Sequence, residues 1–438
     1  MESIIPINGR IAIVDDSITQ AVPLMRVLSK NNIPFTFYKG DDSESFPAKP
    51  ENDIRILFLD LNLLSGRVQK KKDIRSSLIT TLKHILSPDN YPYILILWSR
   101  QEMEYLDVVT GIFNKEIKDR APIAIERYVK SDFFPNFDDE EDVTVDEHLI
   151  LDKLKEILDG HSAYKHLLQW ENCIHRSADT TIGDVFRSFN SHENWEENAN
   201  CILEKMAKAY LEQSYDAATN EVKVKSSLLL LNDVLYDSLE NEICNNQFEC
   251  ARALMHNIPQ ERTTEIVSKI NHSLLISNVI NDDVKKPGCV FKYYASKKNK
   301  KHFEEILNDC CNCSDEKKNA IMETMIPCEV VVTPSCDYAQ NKYKTNRIVQ
   351  GILIEAKYII EGKKIKNIDN RTDAIYISPI IEYLNESYVM VLNFRYFVTD
   401  NMIENKKTYP LFRVRSSMLA EIQSKLARHI SRQGIMNL

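Results

Sequence analysis

Glycine is scarce in this chain, at 10 residues of 438, or about a third of average usage. Architectures that depend on many tight glycine corners, such as propellers and large barrels, are disfavoured. Long hydrophobic runs are missing too. The local peaks, Ile94 to Trp98 and Leu228 to Leu231, fall well short of the roughly 20 apolar residues of a membrane helix. There is no excess of positive charge, with 55 Lys plus Arg against 64 Asp plus Glu and a formal net charge of −9. Nothing therefore draws the whole surface to nucleic acid or to an anionic membrane. Met1 to Arg10 lacks the basic region and apolar stretch of a signal peptide. Walker lysine loops, HExxH helices, dinucleotide fingerprints and basic helix-turn-helix candidates are also missing. The expectation is a soluble, cytoplasmic protein with no membrane partner and with nucleic acid disfavoured.

Material for cores is ample. Hydrophobic residues make up 43% of the chain, with 3 Trp, 19 Tyr and 16 Phe, and the length suits roughly three domains. The 10 cysteines, in a large chain of cytosolic type, read as reduced thiols, buried or metal-bound.

The N-terminal third alternates short apolar runs with amphipathic stretches. Ile11 to Val14, Phe35 to Tyr38, Ile54 to Leu59, Ile94 to Trp98 and Ile123 to Val129 predict five strands. Ile18 to Leu28, Ser77 to Leu86 and Glu104 to Ile117 predict helices between them. Strands apolar on both faces and separated by helices imply a doubly wound α/β domain with a parallel five-stranded sheet, which binds ligands beyond its carboxyl ends. Those ends carry Asp15 and Asp16, Asp60, Ser99 and Lys130. Three carboxylates suit Mg²⁺, a hard cation that prefers oxygen ligands. Asp60 can then act as a nucleophile toward phosphorus, with Ser99 and Lys130 contacting the phosphoryl oxygens.

The strings Val14-Asp15-Asp16-Ser17, Leu59-Asp60-Leu61-Asn62, Trp98-Ser99 and Val129-Lys130, each closing an apolar run, resemble the receiver domain of two-component response regulators over about residues 8–135. The resemblance implies a flavodoxin-like fold and a phosphoryl group accepted from a histidine kinase or another phosphodonor protein. It makes Asp60 the acceptor. Asp15, Asp16, Asp60 and the backbone carbonyl of Asn62 become the Mg²⁺ ligands, Ser99 the switch hydroxyl and Lys130 the phosphate-contacting lysine. The chain departs from the family pattern at Ser131 and Leu64, where proline is usual, and at Arg127, where an aromatic is common. Its gaps from Asp60 to Ser99 and from Ser99 to Lys130 are longer than usual, so the departures bear on the output face more than on the phosphoryl chemistry. The competing readings are solvated strand ends in an ordinary doubly wound domain, or a receiver relic that takes no phosphate.

With the receiver-like domain at 1–136, seven acids in the ten positions Asp138 to Glu147 predict a solvated linker at 137–148. Residues 149–285 then read as an all-helical domain, from leucine spacing at Leu151, Leu154 and Leu158 and again at Leu228, Leu231, Leu235 and Leu239. Asp179 to Thr181 reads as a turn, and His161, His166 and His175 as surface or capping residues. Residues 286–438 read as an α+β output domain, a small barrel or rolled sheet closed by a helix. Its strands fall at Cys289 to Tyr294, Cys328 to Thr333, Ile348 to Glu355, Ala374 to Ser378, Tyr388 to Val398 and Leu411 to Val414. Lys297 to Lys301 reads as a basic loop, and the final helix carries Leu419, Ile422, Leu426 and Ile430 on one face.

Two groupings there carry candidate chemistry. Cys310 and Cys313 form a C-x-x-C pair that grips Zn²⁺ from one turn, with Cys328 and Cys336 as the remaining ligands and His302 upstream. A Cys-rich loop with two core thiols is the competing reading. The string Thr333-Pro334-Ser335-Cys336-Asp337 puts a thiol and a carboxylate at a strand end, where His429 and Arg432 complete the elements of a Cys/His site. A plain strand-end turn competes with it. The leading expectation is an intracellular signalling protein, a phosphoacceptor regulator rather than a turnover enzyme, whose receiver controls the C-terminal region and a downstream protein partner. A non-phosphorylated receiver-like scaffold, or an effector with a Cys/His or zinc site, are the alternatives.

Overall fold

Runs with no polar face cannot lie half in water; the three that begin at Ile11, Ile56 and Ile94 are buried throughout, and half-buried runs at Phe35 and Ala124 flank them to complete one sheet. The computed structural model describes residues 5–6, 9–61, 63, 71–99, 106–134, 147–187, 194–246, 248, 260–277, 286–292, 297–339, 345–361, 364–365, 368, 373–400 and 409–431. The chain divides into two compact units, Met1–Leu203 with Leu228–Met255, and Glu204–Ser227 with His256–Leu438.

In the first unit, β1 (Ile11–Asp15), β2 (Phe35–Lys39), β3 (Ile56–Leu59), β4 (Ile94–Ser99) and β5 (Ala124–Val129) form a parallel sheet in the order β2-β1-β3-β4-β5. Tyr38, Val14, Leu59, Leu97 and Arg127 lie in one row across it. Asp15 and Asp60 are therefore one step beyond that row, Asp16 and Ser99 two, and Lys130 three, all at the carboxyl edge.

Helices cover both faces. On one side are α1 (Ile18–Lys30) and α5 (Glu147–Gly160), with the start of α6 (Ser162–Phe186). Leu24, Val27 and Leu28 of α1 join Ile150, Leu154, Leu158 and Tyr164 over Ile13, Phe58 and Trp98. On the other side, α2 (Lys71–Ile85) and α3 (Leu106–Lys115) place Leu78, Leu82, Val109 and Ile112 over Val14, Leu57 and Leu95. The link from β2 to β3 carries only a 3-10 turn, Ser43–Ser45, and Tyr38, Phe46 and Leu63 fill that corner of the core.

The first core does not stop at residue 136. Residues 138–146 of the acidic stretch lie outside the described residues, whereas Glu147 and His148, expected in the linker, open the amphipathic α5, which covers sheet that α1 leaves open. The short α4 (Lys130–Phe133) starts at the lysine. Residues 179–181 form no turn; they lie inside α6. Thr181 is buried there and its hydroxyl donates to Ser238 at 3.4 Å. Packing against α8 (Asn220–Asn245) outweighs the weak helix propensity of Asp and Thr. The remaining helix of this stretch is α7 (Trp195–Leu211).

The second unit holds a seven-stranded sheet. Its strands are β6 (Ile276–Ser277), β7 (Cys289–Lys292), β8 (Ile326–Val331), β9 (Asn346–Glu355), β12 (Ile375–Tyr383), β13 (Glu386–Asp400) and β14 (Tyr409–Val414), in the order β12-β13-β9-β8-β7-β14-β6. A small hairpin, β10 (Ile360–Glu361) and β11 (Lys364–Ile365), follows the single turn α13 (Ala356–Ile359). Neighbouring strands of the large sheet are antiparallel.

This sheet is rolled. Helix α9 (Gln260–Leu275) lies along β12, where the Asn271 amide donates to the Ile380 carbonyl at 2.9 Å and His272 Nδ1 to that of Glu382 at 2.6 Å. It then runs directly into β6 at the opposite edge. Inside the roll, α14 (Ser416–Ile430) inserts Met418, Leu419, Ile422 and Leu426 among Val330, Val349, Met390 and Phe412. Ile430 is 62% exposed and takes no part in that face. The outer surface is covered by α10 (Lys297–Cys310) and α11 (Asp315–Thr324). Residues 297–301, expected as a basic loop, open α10, whose later turns bury Phe303, Ile306 and Leu307. Between β8 and β9 stands the short α12 (Ser335–Ala339). Among the described residues no helix is long and apolar enough to cross a membrane.

Candidate functional site

Asp15, Asp16 and Asp60 come together because β1 and β3 are neighbours with matched ends. Their carboxylate oxygens lie within 4.8 Å of one another, a set that can hold a metal ion. Backbone bonds fix the strand ends, with Asp60 N–H donating to Val14 at 2.8 Å and Gly40 N–H to Asp15 at 2.9 Å. Asp15 is fully buried and Asp60 nearly so, at 3% exposure, while Asp16 is half-buried.

Lys130 reaches into this cluster from the end of β5. Its Nζ donates to Asp15 Oδ2 at 2.6 Å, to Asp60 Oδ2 at 2.8 Å and to Gln20 Oε1 at 3.1 Å, and the lysine is fully buried. The other Asp15 oxygen accepts from the Ser17 N–H at 3.0 Å. Burial, opposed by Lys130 and aided by Asp60, pushes the Asp15 carboxyl up to about 6. Burial, together with Asp60, also raises Asp16. Among the described residues, three carboxylates against one ammonium leave two excess negative charges in a poorly solvated place. A divalent oxygen-seeking cation answers that imbalance, so the donor set fits Mg²⁺.

Ser99, buried, ends β4 on the same edge, and its backbone is paired in register with Val129, just before Lys130. Immediately before it, Trp98 points into the core beside α5. Its ring lies 5.8 Å from Phe58, 5.4 Å from Phe133 and 5.9 Å from Phe134. Phe133 belongs to the same helical turn as Lys130, so the polar edge and this aromatic cluster share a backbone. Asn62, expected as a carbonyl ligand, lies outside the described residues.

Among the described residues, Cys310 and Cys328 do not meet. Cys310 and Cys311 sit in the outer core with Ile306 and Ile321, whereas Cys328 sits in the inner core with Val330 and Val349. Register explains the separation: Cys328 pairs with Gly351, on the opposite pleat from Ile352 and Ile354 of the outer core. Ligands about 2.3 Å from one zinc cannot be supplied from both faces of a sheet. Burial moreover raises the Cys328 thiol and pushes Cys311 up to about 12, which favours protonated core thiols. The side chains of His302 and Cys336 lie outside the described set.

Asp337, in α12, faces Arg347 at 3.6 Å. His429 lies in the last turn of α14, its ring 6.2 Å from Phe394. Gln423 of α14 donates to the carbonyls of Val332 and Thr333 at 3.1 and 3.4 Å, which seats the helix over this strand end. Arg432 is outside the described residues. Of the three histidines, His161 caps α6 at 3.8 Å from Glu126 and His166 meets Gln169 at 3.1 Å. His175 is half-buried, and desolvation lowers its pKa.

Gln20 is the site residue that sequence reading passed over. Its signal was its place one helical turn after Asp16, where a side chain can return over the strand end. No family model, curated protein or solved structure matches this chain.

Proposed function

We propose that the first unit is a phosphoacceptor switch of the receiver kind. In it Asp60 takes a phosphoryl group with Mg²⁺ held by Asp15, Asp16, Asp60 and the Asn62 carbonyl. The observation that carries this reading is Lys130 bridging Asp15 and Asp60 at 2.6 and 2.8 Å beside Asp16. The strand order β2-β1-β3-β4-β5 supports it, being that of flavodoxin-like doubly wound sheets, which bind at their carboxyl edge.

In the transfer, an Asp60 oxygen forms a bond to phosphorus while the donor's bond from phosphorus to its leaving group breaks, and that group departs with the electron pair. Bound Mg²⁺ supplies charge neutralisation for the phosphoryl oxygens. Lys130 and Ser99 then turn to the new group, a charge near −2. Trp98 and Phe133, next to them in the chain, carry the adjustment to α5. The donor is a histidine kinase or similar protein in the cytoplasm, and the reordered surface is read by a downstream protein partner.

The test is incubation with acetyl phosphate and Mg²⁺, read by intact mass, for wild type, Asp60→Asn and a metal-free control. One phosphate that needs Mg²⁺ and vanishes in Asp60→Asn is the expected result. Folded wild type that stays unlabelled, with acetyl phosphate and with phosphohistidine donors alike, overturns the reading.

A further inference from the structure

Lys130 has three N–H donors, and each has a destination. Two go to carboxylates that the proposed chemistry draws on, Asp15 for the metal and Asp60 for the phosphoryl group. The third goes to the amide oxygen of Gln20 at 3.1 Å. Gln20 stands in the first turn of α1, its N–H bonded to the Ser17 carbonyl at 3.1 Å. That turn fixes the residue over the end of β1. Gln20 differs in kind from the other two partners: it carries no charge, does not titrate and takes no phosphate.

We infer that Gln20 is a positioning residue for phosphoryl transfer, an anchor that keeps Lys130 aimed at Asp60 while its carboxylate contacts are being exchanged. The inference rests on the phosphoacceptor reading above. When an Asp60 oxygen bonds to the phosphorus of acetyl phosphate, the phosphorus–oxygen bond to the acetyl group breaks and acetate leaves with the electron pair. Asp60 loses its carboxylate charge in that step, and with it much of its hold on the ammonium. Gln20 keeps one N–H fixed, so the other donors sweep from carboxylate to phosphoryl oxygen without a wider search.

Gln20→Met keeps side-chain length and helix propensity and removes the acceptor, whereas Gln20→Glu keeps an acceptor oxygen. Labelling by acetyl phosphate is followed at saturating donor and Mg²⁺, with Mg²⁺ affinity measured separately. A lost hydrogen bond to a charged group predicts a saturated rate about tenfold lower in Gln20→Met, with Mg²⁺ affinity within about twofold and Gln20→Glu within about threefold of wild type. A wild-type rate in Gln20→Met overturns the anchor role. So does an equal loss in Gln20→Glu, or a loss in Gln20→Met that saturating Mg²⁺ removes. The two readings fail differently: unlabelled wild type overturns phosphoacceptance and the anchor role together, while labelled wild type with an unaffected Gln20→Met overturns the anchor role alone.

Discussion

Lys130 and Asp60 stand 70 residues apart in sequence and 2.8 Å apart in space, with the lysine shut off from solvent. Such an ammonium is held by the acids around it, and they by it.

Lys130→Met therefore leaves Asp15 and Asp60 buried without their cation. Breaking a buried pair by removing one partner costs about 3–5 kcal/mol, and urea unfolding of metal-free protein is expected to lose that much. Saturating Mg²⁺ should recover part of the loss. An unchanged midpoint in metal-free protein would mean that the ammonium is not what balances the acids.

Acidity acts on the same cluster. The Asp15 carboxyl sits at about 6 in the fold, above the ordinary 3.8, because burial outweighs the pull of Lys130. A carboxyl raised on folding favours the folded state at low pH, and that contribution is lost as pH rises through about 6. Metal binding runs the other way, since it needs the carboxylate. The thermal stabilisation by Mg²⁺ should be full at neutral pH and fade below about pH 6, affinity falling up to about tenfold per pH unit. Asp15→Asn should remove that inflection.

Trp98 offers a probe of the proposed switch from within. Its ring packs on Phe58, Phe133 and Phe134, one residue from Ser99, and its indole N–H finds no partner among the described residues. With Trp170 and Trp195 replaced by Phe, Trp98 fluorescence should change on adding acetyl phosphate with Mg²⁺, and not in Asp60→Asn. Trp98→Ala should cost about 3–5 kcal/mol.

In the second unit Gly351→Ala tests the packing of β9. A Cβ there would run into the Val391 carbonyl oxygen and lie 3.0 Å from the Leu392 Cα, both backbone. Strands cannot yield as a flexible side chain does, so a loss of about 1–3 kcal/mol or more is expected in thermal unfolding. Stability equal to wild type would show that β9 and β13 separate freely at this point.

The N-terminal sheet was legible because its three central strands, β1, β3 and β4, are buried on both faces and read as unbroken apolar runs ending at a polar residue, while the edge strands β2 and β5 are half-buried and carry polar residues among their apolar ones. Asp15, Asp60, Ser99 and Lys130 were found at strand ends. Gln20 was not, because a neutral amide one turn into a helix carries no compositional mark. Residues 179–181 and 297–301 misled for a shared reason: polar strings look like turns and loops, yet flanking turns of α6 and α10 bury enough apolar surface to carry them as helix. Spacing also cannot express which face of a sheet a thiol occupies. Cys310 and Cys328 are close in sequence, but the pleat sends them to opposite sides of a sheet.

In the rolled sheet, β14, at residues 409–414, lies between β6 and β7, at residues 276–292. A ribosome must therefore deliver well over a hundred residues after β7 before that strand gains its second neighbour, and α14 comes later still. Folding of this unit must wait for that strand and is slowed by pairings that span most of its length. A chain interrupted before β14 would present one side of Cys289–Lys292 as a bare strand edge, the kind of surface that chaperones and proteases sort by.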